Sequence, residues 1–316
     1  MKRVLGVALA AGLAATVYAQ QKVDPAIPAY AKTSGVSGNI NSVGSDTMNN
    51  MMTLWAESFT KMYPNIKVQV EGKGSSTAPA ALIAGTAQFG PMSRAMRSTE
   101  IDQFESKYGY KPTQVRTSYD ALAVYVNKDN PIEKLTLAQV DAAFSKTRRR
   151  GGKAANTWGD LGLTGDWAGK PISLYGRNSA SGTYGFFKEH TLKNGDYKDA
   201  VKEQPGSASV VQGVTEDRFG MGYSGIGYRT SGVKVVPLAE AAAYSDGTYA
   251  DVVAGKYPLN RVLYIYINKA PGKPLDPLVK EFTKFILSKE GQEVVVKDGY
   301  LPLSPEIVKQ ERVKVE

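Results

Sequence analysis

The chain contains no cysteine. Disulfides, cysteine-ligated zinc, thiol nucleophiles and an N-terminal cysteine lipid anchor are therefore excluded. Histidine is almost as scarce: His190 is the single imidazole, so base-assisted hydrolysis or a histidine metal site has one candidate residue. Past the N-terminus no apolar run approaches the ~20 residues that cross a bilayer. No repeat of fixed period is visible, and no compact Asp/Glu/His cluster has metal-ligand spacing. What remains is the composition of a folded protein, with 316 residues, 42% hydrophobic and 22% charged. That is too apolar for a disordered chain, and long enough for two domains that each bury a core.

The N-terminus carries Lys2 and Arg3 before an apolar stretch from Val4 to Val17, then Val17-Tyr18-Ala19 and a polar Gln20-Gln21. This is the layout of a secretory signal peptide, residues 1–19, with cleavage expected after Ala19. The remaining chain is expected to be exported and soluble. Removing Lys2 and Arg3 takes Lys+Arg from 39 to 37 against 30 Asp+Glu, so net charge falls from +9 to +7. A positive balance attracts anions at long range. The densest basic cluster, Arg148-Arg149-Arg150 before Gly151-Gly152-Lys153, has no interleaved aromatics and reads as a solvated loop. An exported protein is not expected to meet nucleic acid.

Residues 20–37 lack periodicity and read as a loose leader. A strand at 40–43 precedes Met48, Met51, Met52, Trp55, Phe59 and Met62, which recur at helical spacing. The helix stops near Tyr63-Pro64, and Ile66, Val68 and Val70 alternate as a strand. A small-residue helix follows at 78–84, then a capped helix at 101–108, a strand at 120–127, a helix from 137, and a strand over 171–175 leading to a helix at 184–190. Strands return at 219–224 and 261–267, and two apolar helices near 275–287 and 289–298 are expected to close the fold. Strand–turn–helix alternation of this kind predicts an α/β fold with a largely parallel sheet. The strands at 120–127 and 261–267 both mix aliphatics with tyrosine and both end in Asn-Lys. They are candidates for the two crossing strands of a two-lobed chain, or else ordinary central strands. With them as crossings, residues 38–119 plus 260–316 form lobe 1 and residues 120–259 form lobe 2.

Three loops share one chemistry: Ser45-Asp46-Thr47, Ser75-Ser76-Thr77 and Ser181-Gly182-Thr183. Each follows a predicted strand and opens a helix. A helix N-terminus presents unpaired N–H groups and a partial positive charge, which suits an anion. Serine and threonine hydroxyls add donors, although any one of them is equally an ordinary helix cap. Arg177, four residues before Ser181, could grip two oxygens at once.

On these loops, and on Gly72-Lys73-Gly74-Ser75-Ser76, Gln88-Phe89-Gly90 and Arg177-Asn178-Ser179-Ala180-Ser181-Gly182-Thr183, the chain resembles the phosphate-binding component of bacterial high-affinity phosphate ABC transporters. Phe144-Ser145 to Trp158-Gly159-Asp160-Leu161 extends the likeness, which runs from about Gly38 to Pro302. The resemblance implies a two-lobed periplasmic-binding-protein fold, two α/β domains joined by two crossing hinge strands, closing over one dehydrated inorganic phosphate. It implies a monomeric periplasmic receptor without a lipid anchor, a non-enzyme without cofactor or metal, delivering phosphate to an inner-membrane ABC permease. Matched by position, Asp46 and Thr47, Ser75, and Arg177, Ser181, Gly182 and Thr183 are implied ligands, with Ser45 and Ser76 beside them. Two family aspartates are replaced, one by Ser93 before Arg94 and one by Ser179. Ser93 and Arg94 therefore join the candidate ligands, with Arg97 a further candidate. Asp46 could accept the proton that phosphate still carries and sulfate lacks. Two alternatives remain at this stage. One is a receptor for sulfate, molybdate or tungstate. The other is a phosphate-ester hydrolase using Ser45 or Ser181, which would need a neighbouring base or metal.

Overall fold

The computed structural model describes residues 21–316; the expected signal peptide, residues 1–19, lies outside the described residues. Among the described residues no helix is long and apolar enough to cross a membrane. The chain opens with β1 (Gly38–Val43), a 3-10 turn at Asp46–Met48, α1 (Asn49–Met62), β2 (Ile66–Glu71), α2 (Thr77–Ala84), β3 (Gly90–Met92), α3 (Ser98–Tyr108) and the long β4 (Thr113–Asn127). It continues through β5 (Leu135–Thr136), α4 (Leu137–Phe144), β6 (Ser173–Arg177), α5 (Gly182–His190), β7 (Lys202–Gln204), α6 (Ser207–Glu216), β8 (Gly220–Gly225), β9 (Val233–Val235), β10 (Leu238–Ala239) and α7 (Tyr249–Val253). The last elements are β11 (Asn260–Ile267), α8 (Pro277–Ile286), α9 (Lys289–Lys297) and α10 (Pro305–Val313).

Local sequence explains the principal elements. In α1 the spacing of Met51, Met52, Trp55 and Phe59 puts all four on one buried face, and the helix stops at Tyr63, whose α conformation the following Pro64 disfavours. Helix α8 begins where Asp276 accepts the N–H groups of Leu278 and Val279 and Pro277 takes the first turn. Its Phe282 and Phe285 rings lie 5.0 and 5.5 Å from Phe59.

Two buried clusters divide the apolar side chains. One gathers Ile40, Trp55, Phe59, Val115, Leu263, Ile265 and Phe282. The other gathers Leu122, Val124, Phe144, Trp158, Phe187, Tyr223 and Leu259. Strand β4 thus starts in the first cluster and finishes in the second. The chain returns from Leu259 in the second to Leu263 in the first. Two α/β lobes are joined by crossing strands.

The sheet is mixed, which corrects the expectation of a largely parallel one. Strands β1 and β2 pair in parallel. The larger sheet runs β3-β11-β4-β8-β6-β7, with β9 also on β4. The β11–β3, β11–β4, β4–β8 and β4–β9 pairs are antiparallel, while β6 is parallel to β7 and β8. A chain that leaves a lobe on one strand and comes back on its neighbour must run in opposite senses on the two. Near the crossing the β4–β11 register slips between Leu263 and Tyr264, and the Thr117 hydroxyl donates to the Leu263 carbonyl at 3.0 Å. Such a bulge bends the strand locally.

Three further expectations differ from the structure. Residues 21–37 form no helix or strand, yet they are packed down: Ile27 is buried, and the Tyr30 ring lies 5.6 Å from Phe285. Helix α10 follows the two helices expected to close the fold. Finally, Arg150 is not a solvated loop charge. Its Nε and Nη2 donate to the carbonyls of Thr191 and His190 at 2.6 and 2.7 Å, at the C-terminal end of α5, and Nη1 meets Glu240 at 2.5 Å.

Candidate functional site

Four loops converge between the lobes, each leaving the end of a strand: β1, β2 and β3 on one side and β6 on the other. Ligand clefts of α/β proteins lie at such strand ends. The first loop is wedged tightly. Its Gly44 N–H donates to the Glu71 carbonyl at 2.9 Å and Ser45 N–H to the Pro91 carbonyl at 2.8 Å. A Cβ on Gly44 would stand 2.2 Å from that same Pro91 oxygen, so only glycine fits. Two tyrosines hold the next carbonyls. Tyr228 donates to Asp46 O and Tyr300 to Thr47 O, both at 3.0 Å. Burial raises both phenols above their ordinary pKa, which keeps the hydroxyl protons in place.

The hydroxyls meet at the centre. Thr47 Oγ1 lies 2.9 Å from Thr183 Oγ1, and Ser75 Oγ lies 3.2 Å from Ser93 Oγ. The Ser93 N–H donates to Ser75 Oγ at 3.0 Å. A Cβ on Gly182 would come within 2.3 Å of Ser75 Oγ and 2.7 Å of Ser93 Oγ. Thr47, Ser75, Ser93, Gly182 and Thr183 therefore occupy one small neighbourhood. All four hydroxyl residues are buried. Ser45 Oγ is also buried and has no hydrogen-bond partner. Ser181 serves chiefly as a cap, its Oγ accepting from Thr183 N–H and Tyr184 N–H at the start of α5.

Arg177 leaves the end of β6 with 1% exposure. Its Nη1 donates to Ser207 Oγ at 2.7 Å, Nη2 donates to Pro205 O at 3.2 Å and meets Asp46 at 3.1 Å, and Nε has no partner. Burial lowers its pKa, and Asp46 works in the opposite direction. Asp46 also accepts the Ser207 N–H at 2.8 Å. The carboxylate beside these donors is thus paired with Arg177 across the cleft.

Arg94 pairs with a carboxylate. Its Nη1 and Nη2 grip Glu100 at 2.8 and 2.6 Å, and Nη2 also reaches Ser76 Oγ at 3.3 Å. Burial alone would raise the Glu100 pKa, but Arg94 and the Arg97 N–H hold it below the usual value. Both Nη groups of Arg94 are thus engaged by a partly buried carboxylate in a bidentate pair, while its Nε has no hydrogen-bond partner. Arg97 gives its N–H to Glu100 and has an exposed side chain. Ser76 contributes its backbone N–H to Ala180 O at 3.1 Å, a bond between lobes. His190 is exposed at the end of α5, its ring 4.1 Å from Phe186. Among the described residues no group of His, Asp and Glu is arranged to hold a metal.

A family model described as a PBP superfamily domain matches residues 29–290. Phosphate-binding protein PstS of Pseudomonas aeruginosa is 58% identical over 307 residues, covering 96% of this chain and 94% of that protein. The chain belongs to the PstS family. Solved structures share its fold. A phosphate ABC transporter substrate-binding protein of Clostridium perfringens, solved with bound phosphate, superposes with a TM-score of 0.71 at 23% identity, covering 84% of this chain and all of that one. An ABC-type phosphate transport receptor of Vibrio cholerae does so with 0.66 at 22% identity over the same shares.

Five residues around the PstS-family cleft were not found by reading the sequence: Asp120, Ser207, Tyr228, Arg261 and Tyr300. A signal existed for two of them. Asp120 and Arg261 open the apolar stretches 120–127 and 261–267 in the sequence with opposite charge, and a lone charge there calls for a partner. Ser207, Tyr228 and Tyr300 carry no local signal, because their role lies in contacts made far along the chain.

Proposed function

We propose that this PstS-family chain is a periplasmic receptor that captures inorganic phosphate in the cleft and delivers it to an inner-membrane ABC permease. The observation that carries the reading is the buried donor ring of Thr47, Ser75, Ser93 and Thr183 beside Arg177, whose Nε is unbonded, as is Ser45 Oγ. Buried polar atoms normally find partners, and an oxyanion supplies acceptors to all of these donors together. Ser45, Thr47, Ser75, Ser93, Arg177, Gly182 and Thr183 are the proposed ligands. Ser181 supports them as the cap of α5, Asp46 by pairing with Arg177, Arg94 by bracing Ser76. Because Arg177 is balanced by Asp46, oriented dipoles in a water-poor cleft do most of the binding.

The lobes are assigned to residues 38–119 with 260–316 and to residues 120–259, moving about the β4–β11 crossing. Cleavage after Ala19 releases a monomer with no lipid anchor. The protein is a receptor and not an enzyme, as its named relatives are. Calorimetry with phosphate, arsenate, sulfate and tungstate tests the reading, together with turnover of a chromogenic phosphate ester. Tight phosphate binding, competition by arsenate, weak sulfate binding and no turnover are expected. Preference for sulfate or tungstate would overturn it.

A further inference from the structure

Behind the donor ring lies a buried ion pair that the ligand set does not include. Asp120 of β4 and Arg261 of β11 face each other in the strand register, with side chains 0% and 2% exposed. Arg261 Nε and Nη2 lie 2.8 and 2.6 Å from Asp120 Oδ2. The other Asp120 oxygen accepts the Ile226 N–H at 3.0 Å. The remaining nitrogen, Nη1, is shared between two acceptors in different lobes: the Ser93 carbonyl and Thr183 Oγ1, each at 3.0 Å. The guanidinium carbon sits 5.4 Å from the centre of the Phe186 ring on α5. Two charges buried in strand interiors are expensive, and apolar residues of similar volume often hold such positions equally well. A role beyond bracing is needed.

We propose that Arg261 is a positioning residue for phosphate, fixing the Thr183 hydroxyl as a donor and tying it to Ser93 when the lobes close. The inference rests on the phosphate reading of the cleft. A hydroxyl has one hydrogen to give, and a guanidinium can only donate. Thr183 Oγ1 must therefore accept from Arg261, which turns its own hydrogen away, toward the ring where Thr47 Oγ1 lies 2.9 Å off. If that hydrogen goes to Thr47, Thr47 in turn can donate only to the ligand. Along either route a donor faces the anion before it arrives, and a preoriented donor needs no reorganisation on binding. The Asp120 carboxylate balances the charge, so the device orients the site without changing its net charge. Contact with Ser93 on one lobe and Thr183 on the other is possible only while the lobes are together, so the same nitrogen favours the closed form.

A double-mutant cycle in phosphate affinity tests this. One arm is Thr183→Val; the other is Arg261→Met made together with Asp120→Asn, so that no buried charge is left unpaired. The expected result is that Thr183→Val weakens binding at least about fivefold in the natural protein and less than about twofold in the altered background, since contacting groups couple strongly. The altered background itself should bind at least about tenfold more weakly and release phosphate faster. Equal losses from Thr183→Val in both backgrounds would overturn the proposal while leaving the phosphate reading intact. Absence of phosphate binding by the natural protein would remove both. Should the altered background fail to fold, Arg261→Lys, which keeps the charge beside Asp120, is the second variant: it is expected to lose the coupling to Thr183, and retention of full coupling would overturn the proposal.

Discussion

Arg177 spends two nitrogens on Ser207, Pro205 and Asp46, and holds Nε unbonded inside the cleft. Arg177→Ala is expected to weaken phosphate binding more than about tenfold, because charge-assisted bonds in a closed site are lost and Asp46 is left unpaired beside the anion. Calorimetry on the folded variant measures it; binding within about twofold of the natural protein would remove Arg177 from the site. Asp298 makes a separate pH prediction. Burial raises its pKa to about 6, against the hydrogen bond it receives from Asn50. Its folded pKa therefore exceeds its unfolded one. The stability it contributes is present below about pH 4 and lost as pH rises through about 6. Asp298→Asn should raise the melting temperature at pH 8 and leave it nearly unchanged at pH 4. A variant that melts like the natural protein at both pH values would show that Asp298 does not titrate in this way.

At the scale of elements, the basic loop after α4 separates two roles that its sequence runs together. Arg150 binds the carbonyls at the C-terminal end of α5 and pairs with Glu240, its side chain 8% exposed. Arg148 sits in a left-handed turn (φ 48°) and gives Nη1 to Lys146 O. Changing Arg148, Arg149 and Arg150 together to Gln is expected to leave equilibrium phosphate affinity within about twofold at physiological salt, since charges more than about 8 Å away are screened. The same change should destabilise the protein by about 1–3 kcal/mol through the lost Arg150 hydrogen bonds. Denaturant titration and calorimetry on the one variant distinguish the two outcomes. Unchanged stability would show that the Arg150 contacts contribute nothing.

At the scale of the molecule, closure depends on bonds from lobe to lobe around the cleft. Ser76 N–H donates to Ala180 O at 3.1 Å, Ser207 N–H to Asp46 at 2.8 Å, and Tyr228 to the Asp46 carbonyl. Gly74 makes the first contact possible. Its φ is +114°, and a Cβ there would stand 2.5 Å from the Ala180 oxygen. Gly74→Ala should hold the lobes apart, because the opposing atom is backbone and cannot swing away. Phosphate affinity is expected to fall at least about tenfold, with loss of the compaction that X-ray scattering would record on phosphate addition. A variant that still compacts and binds normally would show that the lips can separate locally without cost.

The α/β character, the strands at 120–127 and 261–267 and the loops carrying Thr47, Ser75, Arg177 and Thr183 were legible in the sequence because each is a local pattern, whereas the crossing of those two strands between lobes was implied only by the family resemblance. Helical spacing from Met48 to Met62, alternation in β2, and Ser or Thr ahead of a helix all report on neighbours a few residues apart. Helix α6 escaped that reading: Ser, Gly, Thr and three valines make a poor helix on propensity alone. It forms because Val210, Val211 and Val214 find a sheet to cover. Strand direction was misjudged for a related reason, since period-two alternation looks the same in parallel and antiparallel pairs. Only the tertiary structure could decide how the charges divide. Asp46 meets Arg177, Arg94 meets Glu100, and Arg261 meets Asp120. The first and last of these pairs join residues more than a hundred positions apart. Which carboxylate a guanidinium finds depends on where the folded chain places both, and no local pattern carries that distance.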